Sequence, residues 1–211
     1  MWQSLSRYGA LALESAAGVF GVRLYEEPAW QVIDRVGARV EVRRYAARLA
    51  VEAKAPATGR AGRDEAFQLL FDYIAGDNRT APSRSDRIAM TTPVMVREPE
   101  RVAMTATVRT AESGGAVRLQ FFLPAKYSLG TAPQPIDARV RLVPVPEETI
   151  AALRYSGSGD AAGERQAELL TLLAAGRWRP AGEAYSLFYD PPFALPPLRR
   201  NEAAVAVVPT Q

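Results

Sequence analysis

The chain repeats itself with a register of one hundred residues. Residues 40–76 read VEVRRYAARLAVEAKAPATGRAGRDEAFQLLFDYIAG, and residues 140–176 read VRLVPVPEETIAALRYSGSGDAAGERQAELLTLLAAG. Val40 falls on Val140, Val42 on Leu142, Gly59 on Gly159, Leu69-Leu70 on Leu169-Leu170 and Ala75-Gly76 on Ala175-Gly176, with no gap. Each copy is an alternating run, a second apolar run, a glycine-containing loop and a run with helical spacing that ends at glycine. Period-2 alternation followed by 3.6-residue spacing predicts strand–strand–helix. A fixed internal period sets the architecture of a whole chain. One helix and a few strands bury too little surface to stand alone. The two halves, about 30–124 and 125–209, are therefore expected to share one core within a single domain, 24–211.

Beyond the repeat, strands are expected at 29–35, 38–45 and 48–55, and a helix from about Arg63 to Ala75 closed by Gly76 at C′. A polar loop spans 77–86, followed by the extended segment IAMTTPVMV, 88–96. Strands at 101–110 and 117–123 flank the turn Glu112-Ser113-Gly114-Gly115. A loop at 124–138 leads into the second copy, 139–176. After it come an apolar segment at Ala184–Tyr189, a proline-rich stretch at 190–197 and a last apolar strand at 202–208. About eight strands and two main helices, in the order ββα-ββ twice over, predict an α+β fold with a largely antiparallel sheet.

Composition narrows the chemistry. Apolar content of 48% and charged content of 23% belong to an ordinary soluble globular protein. The net charge is +3, and Lys54 and Lys126 are the two lysines. The arginines are scattered among acids in sequence, so no basic stripe points to nucleic acid. There is no cysteine and no histidine. That removes disulfides, thiol nucleophiles, catalytic triads and imidazole ligation together. A general acid or base has to be Asp, Glu, Tyr or Lys. A metal ligand has to be a carboxylate, Tyr, Met, Lys or the backbone.

Residues 1–23 are expected to form an N-terminal helical segment, with Leu5, Tyr8, Leu11 and Ala12 on one face. The stretch is too short and too polar to span a bilayer, and Glu14 interrupts its apolar run. A cytoplasmic location is expected, with an exported or membrane-peripheral one through residues 1–22 as the alternative.

The two helical runs differ where the halves otherwise match. Phe67 stands against Ala167, Phe71 against Thr171, Tyr73 against Leu173 and Ile74 against Ala174. The apolar arc of the first helix spans roughly 200° at ~100° per residue, about 40° more than that of the second. A helix lying on a sheet needs a stripe of a little over 100°. Phe67 and Phe71, i and i+4, therefore form a ridge at one flank with apolar surface to spare. That flank either packs under the 77–96 loop as ordinary core or offers a wall for a flat ligand. Met90, Met95 and Met104 follow in sequence, and thioethers adapt to irregular aromatic shapes.

Three segments together carry a family resemblance: FQLLFDYIAGDN, 67–78, running on to RIAMTTPVMV, 87–96; FFLPAKY, 121–127, with the Pro-rich loop to Pro135; and YDPPFALPPLRRNEAAV, 189–205. The chain resembles the SOUL heme-binding protein family over about residues 24–209. The resemblance implies a pseudo-twofold pair of ββαββ units forming a distorted eight-stranded, barrel-like antiparallel sheet flanked by two helices. It also implies binding of heme or another tetrapyrrole in an apolar groove beside the first long helix. Carried over, the groove falls on Phe67, Leu70, Phe71 and Ile74, with Met90 and Met95 from the neighbouring loop. Some family members are proposed to ligate iron through histidine, which is missing here. Some carry basic residues on the first helix, where this chain has Asp64 and Asp72. Arg63, Arg87, Arg199 and Arg200 are the candidates for meeting propionates, although Arg199-Arg200 can instead pair with Glu202 or Asp190. With weak or no axial ligation by Met or Tyr, free porphyrin is expected to bind about as well as heme.

Two other functions stay open. Related folds include small-molecule hydrolases and effector-binding domains that use the inter-half cleft, for which Glu183 with Tyr185 or Tyr189 are the candidates. The same apolar flank could also dock a protein or a membrane surface. No catalytic motif is recognisable, so a binding role is favoured over an enzymatic one. The oligomeric state is not legible.

Overall fold

The computed structural model describes residues 26–56, 59–80, 85–97, 116–174, 176–190 and 194–210. The expected N-terminal helix, the strand at 101–110 and the turn at 112–115 lie outside them. Among the described residues there are two α-helices, α1 (Gly59–Ala75) and α2 (Ala162–Leu173). The first copy of the repeat supplies β2 (Val40–Tyr45) and β3 (Arg48–Ala55) ahead of α1, after β1 (Trp30–Val36). The second supplies β8 (Val140–Val145) and β9 (Glu148–Tyr155) ahead of α2. Between them run β4 (Asn78–Arg79), β5 (Val94–Arg97), β6 (Val117–Phe122) and β7 (Gln134–Pro135). The chain closes with β10 (Trp178–Pro180), β11 (Tyr185–Phe188) and β12 (Asn201–Pro209). The three short strands β4, β7 and β10 carry too few residues to show a period, and the sequence does not reveal them.

Ten strands form one antiparallel sheet in the order β1-β2-β9-β12-β11-β5-β6-β3-β8, with β10 on β12. β4 and β7 pair separately. The sheet runs from β1 at one edge to β8 at the other, and these two strands do not pair. It is thus open and larger than the expected eight-stranded barrel-like sheet. β2 lies on β9 with Val40 opposite Leu153, and β3 lies on β8 with Ala53 opposite Val140. Adding one hundred to Val40 and subtracting it from Leu153 turns the first pair into the second.

Alternation along the strands sorts the side chains into two faces. On one face α1 packs over β3 and β6, burying Ala66, Leu70, Tyr73 and Ile74 against Val51, Ala53, Leu119 and Phe121. On the same face α2 covers β9 and β12, with Leu169 and Leu173 against Ala151, Leu153, Ala203 and Val205. The opposite face gathers Tyr45, Ala50, Met95, Phe122, Ile150, Tyr185, Leu187 and Tyr189 into a third cluster drawn from both halves. Gly76 ends α1 with φ +126°, a conformation that favours glycine.

Candidate functional site

The flank of α1 is built from its buried side outward. The Tyr73 hydroxyl donates to the Pro133 carbonyl at 2.7 Å, tying the helix to the loop after β6. Beyond the C-terminus of α1, buried Asn78 donates to the carbonyls of Tyr73 and Asp86, both at 2.7 Å, and accepts from the Asp86 amide at 2.9 Å. The Ile88 amide then donates to the Ile74 carbonyl at 2.9 Å. These bonds hold the segment after Ser85 back against the helix. Met90 follows, half-buried against the core under α1, as are Phe67, Val94 and Tyr127.

Phe67 meets Phe121 of β6 edge-on, with ring centroids 5.4 Å apart, and lies nearly parallel to Phe71 at 6.2 Å. Phe71 is 45% exposed. The pair is a ledge whose inner ring is fixed by the sheet and whose outer ring is open. Leu70 and Ile74 are buried beneath it and support it. Each 100 Å² of apolar surface that a flat ligand covers here contributes ~2.5 kcal/mol.

Charge near the ledge is mixed. Arg63 sits one turn before Phe67 and is half-buried; Arg87 is exposed. Asp64 lies 3.7 Å from Arg60 in an exposed pair, and Asp72 accepts from Gln68 at 2.8 Å. Two expectations need correcting. Alternation along β5 turns Val94 and Val96 toward α1 and sends Met95 into the cluster on the opposite face. Arg200 is committed elsewhere: it bonds Glu202 at 3.0–3.1 Å and Glu27 at 3.2–3.3 Å and stacks on Tyr189 at 3.7 Å. Arg199 donates to the Ala194 carbonyl at 2.8 Å.

The face away from the helices holds a carboxylate that the sequence suggests only as a partner for Arg199-Arg200. Glu202 is fully buried on β12. Arg43 of β2 grips it with two bonds at 2.7 and 3.1 Å, and the Tyr189 hydroxyl donates to it at 2.8 Å. Arg43 in turn contacts Glu41 at 2.9 Å and stacks over Trp30 at 4.3 Å. Burial alone would raise the Glu202 carboxyl; the Arg43 and Arg200 guanidiniums outweigh it and hold the group below the usual carboxylate range. A carboxylate so held is a poor general base at neutral pH. The signal for it was a single acid inside the otherwise apolar run NEAAVAVV, 201–208.

The expected acid–tyrosine pair does not form. Glu183 is exposed ahead of β11, while Tyr185 is fully buried and its hydroxyl has no hydrogen-bond partner. Among the described residues no cluster of three or more acids is arranged to hold a metal. No described helix is long and apolar enough to cross a membrane. A depression of about 430 Å³ lies by β1, β9, β10 and β12, lined by Ile33, Arg44, Thr149, Trp178 and Val207, and belongs to the half that α2 covers.

The model of the SOUL heme-binding proteins matches residues 25–206. The chain belongs to this family. No curated protein matches the sequence. Solved structures similar to this SOUL chain share its fold at low identity. The C-terminal domain of EcmrR is 8% identical with a TM-score of 0.59, covering 86% of this chain and 99% of that domain. A hydrolase from Listeria innocua is 10% identical with a TM-score of 0.52, covering 81% of this chain and 92% of its own. The ledge of this SOUL protein is flat and apolar. Its donor set is poor for iron. Met90 packs half-buried against the cluster under α1, Met95 faces away, and Met104 lies outside the described residues.

Proposed function

We propose that this SOUL protein binds or carries heme or another tetrapyrrole on the Phe67–Phe71 ledge of α1. The observation that supports this reading is the stacked pair itself: one ring is anchored edge-on by Phe121, and the other is left 45% exposed. The outer ring is not needed to cover the sheet, which Ala66, Leu70, Tyr73 and Ile74 of the same helix already cover. Met90 lies beside the macrocycle, and Arg63 and Arg87 answer the propionates. Arg199 and Arg200 take no part.

With no imidazole, apolar stacking supplies the affinity and iron adds little. The chain has no chemistry of its own in this reading. The repeat is a scaffold of two ββαββ halves related by a pseudo-twofold axis, and the ledge is the place where one half departs from the other.

Titration with hemin and with protoporphyrin IX tests the proposal. Saturable quenching of tryptophan fluorescence at micromolar ligand is expected with both, accompanied by a Soret shift with hemin. Absence of saturation in that range overturns it, and binding of hemin alone overturns the claim that iron is dispensable.

A further inference from the structure

Cross-strand register gathers three cations that are far apart in sequence. Lys54 on β3 lies opposite Arg118 on β6, and Arg118 lies opposite Arg97 on β5. All three alternate with residues that pack under α1: Ala53 and Ala55, Val117 and Leu119, and Val96. Their side chains therefore stand on the face away from the helices, in one row. Antiparallel neighbours are about 5 Å apart, so the row spans about 10 Å. Among the described residues none of the three has an ion pair. Lys54 and Arg118 are exposed. Arg97 is half-buried and lies 4.4 Å over the Tyr185 ring, which fixes its guanidinium in place. In the next row the Glu52 carboxylate accepts from Arg141 at 2.6 and 2.9 Å and from Gln120 at 2.7 Å, so it is not available to them.

The matching row of the other half carries a different set of side chains. Arg154 lies opposite Glu202, which lies opposite Leu187. Where the C-terminal half places its buried acid, the N-terminal half places Arg118; where it places Leu187, the N-terminal half places Arg97. Like charges directly opposite one another destabilise a sheet. A row that keeps three of them, one pre-oriented on a ring, is organised for an anion from outside.

We infer that the Lys54–Arg118–Arg97 row is a second ligand site, separate from the ledge on α1, and that it takes a chain of phosphates. A run of two or three phosphoryl groups presents several anionic oxygens over the length of the row, which a single carboxylate cannot. The site recognises the phosphate chain, whether free or on a nucleotide.

Titrating the full chain with inorganic phosphate, diphosphate, tripolyphosphate and adenosine triphosphate at low and high salt tests this. Affinity is expected to rise at least tenfold from phosphate to tripolyphosphate and to fall with salt. Equal binding of adenosine triphosphate and tripolyphosphate assigns the site to the phosphate chain alone; tighter binding of the nucleotide adds a contact to the base or ribose. Arg118→Gln should weaken tripolyphosphate at least tenfold, while Arg154→Gln and the porphyrin titration stay unchanged. No saturable binding at millimolar tripolyphosphate overturns the inference. So does equal weakening by Arg118→Gln and Arg154→Gln, which would mark a diffuse charge effect.

Discussion

Arg48 and Glu148, one hundred residues apart, are ion-paired to each other. They occupy the same position in the two copies of the repeat, at the start of β3 and of β9. The Arg48 guanidinium also lies 4.6 Å over both the Tyr45 and Phe122 rings. Arg48→Ala or Glu148→Ala should each cost about 1–3 kcal/mol in urea unfolding, as expected for a partly buried charged hydrogen bond. The double charge swap Arg48→Glu with Glu148→Arg should recover part of the loss of Arg48→Glu alone, but not the stacking. Strict additivity of the two single changes would show that the pair contributes nothing.

Glu202 offers a pH signature. Its folded-state carboxyl is held below the ordinary range by Arg43 and Arg200 against the opposing pull of burial. In the unfolded chain it titrates normally. The pairs therefore contribute fully above the ordinary carboxylate range, and their contribution is lost as pH falls through that range toward the folded value. Glu202→Gln should cost about 3 kcal/mol at neutral pH, the low end for breaking a buried pair because Glu41 still faces Arg43. The variant should also show a shallower loss of stability between about pH 5 and 3. An unchanged acid limb would mean that other carboxylates dominate it.

The two buried tyrosines of the same cluster should respond in opposite ways. Tyr189 donates to Glu202, and Tyr185 has no partner for its hydroxyl. Tyr189→Phe should destabilise by about 2 kcal/mol, through loss of a hydrogen bond to a charged group. Tyr185→Phe should be neutral or stabilising by up to about 1 kcal/mol, since it removes an unsatisfied buried group. Equal costs in denaturant titrations would contradict the assignment.

Phe71→Asp should weaken hemin and protoporphyrin at least tenfold while changing stability by under about 1 kcal/mol, because the ring is exposed. Met95→Leu, on the other face of the sheet, should leave porphyrin affinity unaltered. A loss of binding with Met95→Leu would return that residue to the site.

Periodicity made the scaffold legible. It placed β2, β3, β9 and α1 within a few residues and identified the flank on which Phe67 and Phe71 stand. It tells which face a residue takes, but not what lies across that face. Met95 follows a helix rich in apolar surface and so read as its neighbour, yet one step of strand alternation reverses it. Arg200 reads either as a propionate partner or as a partner of Glu202 or Asp190, because Glu27, Arg43 and Tyr189, which enclose it or Glu202, come from distant segments. Lys54, Arg97 and Arg118 looked scattered along the chain for the same reason: pairing, rather than composition, puts them in a row.

The exchange of β2 and β8 between the halves bears on how the chain reaches its fold. β2 finds one of its two partners only in β9, and β3 one of its two only in β8, each about a hundred residues away. Neither half can complete its own sheet during synthesis, so the N-terminal strands wait for the C-terminal ones. Contacts this distant in sequence close large loops before any pairing is gained, which slows folding and couples the halves into one cooperative event. A fragment ending near Pro124 would present unpaired strand edges in place of a smaller stable protein.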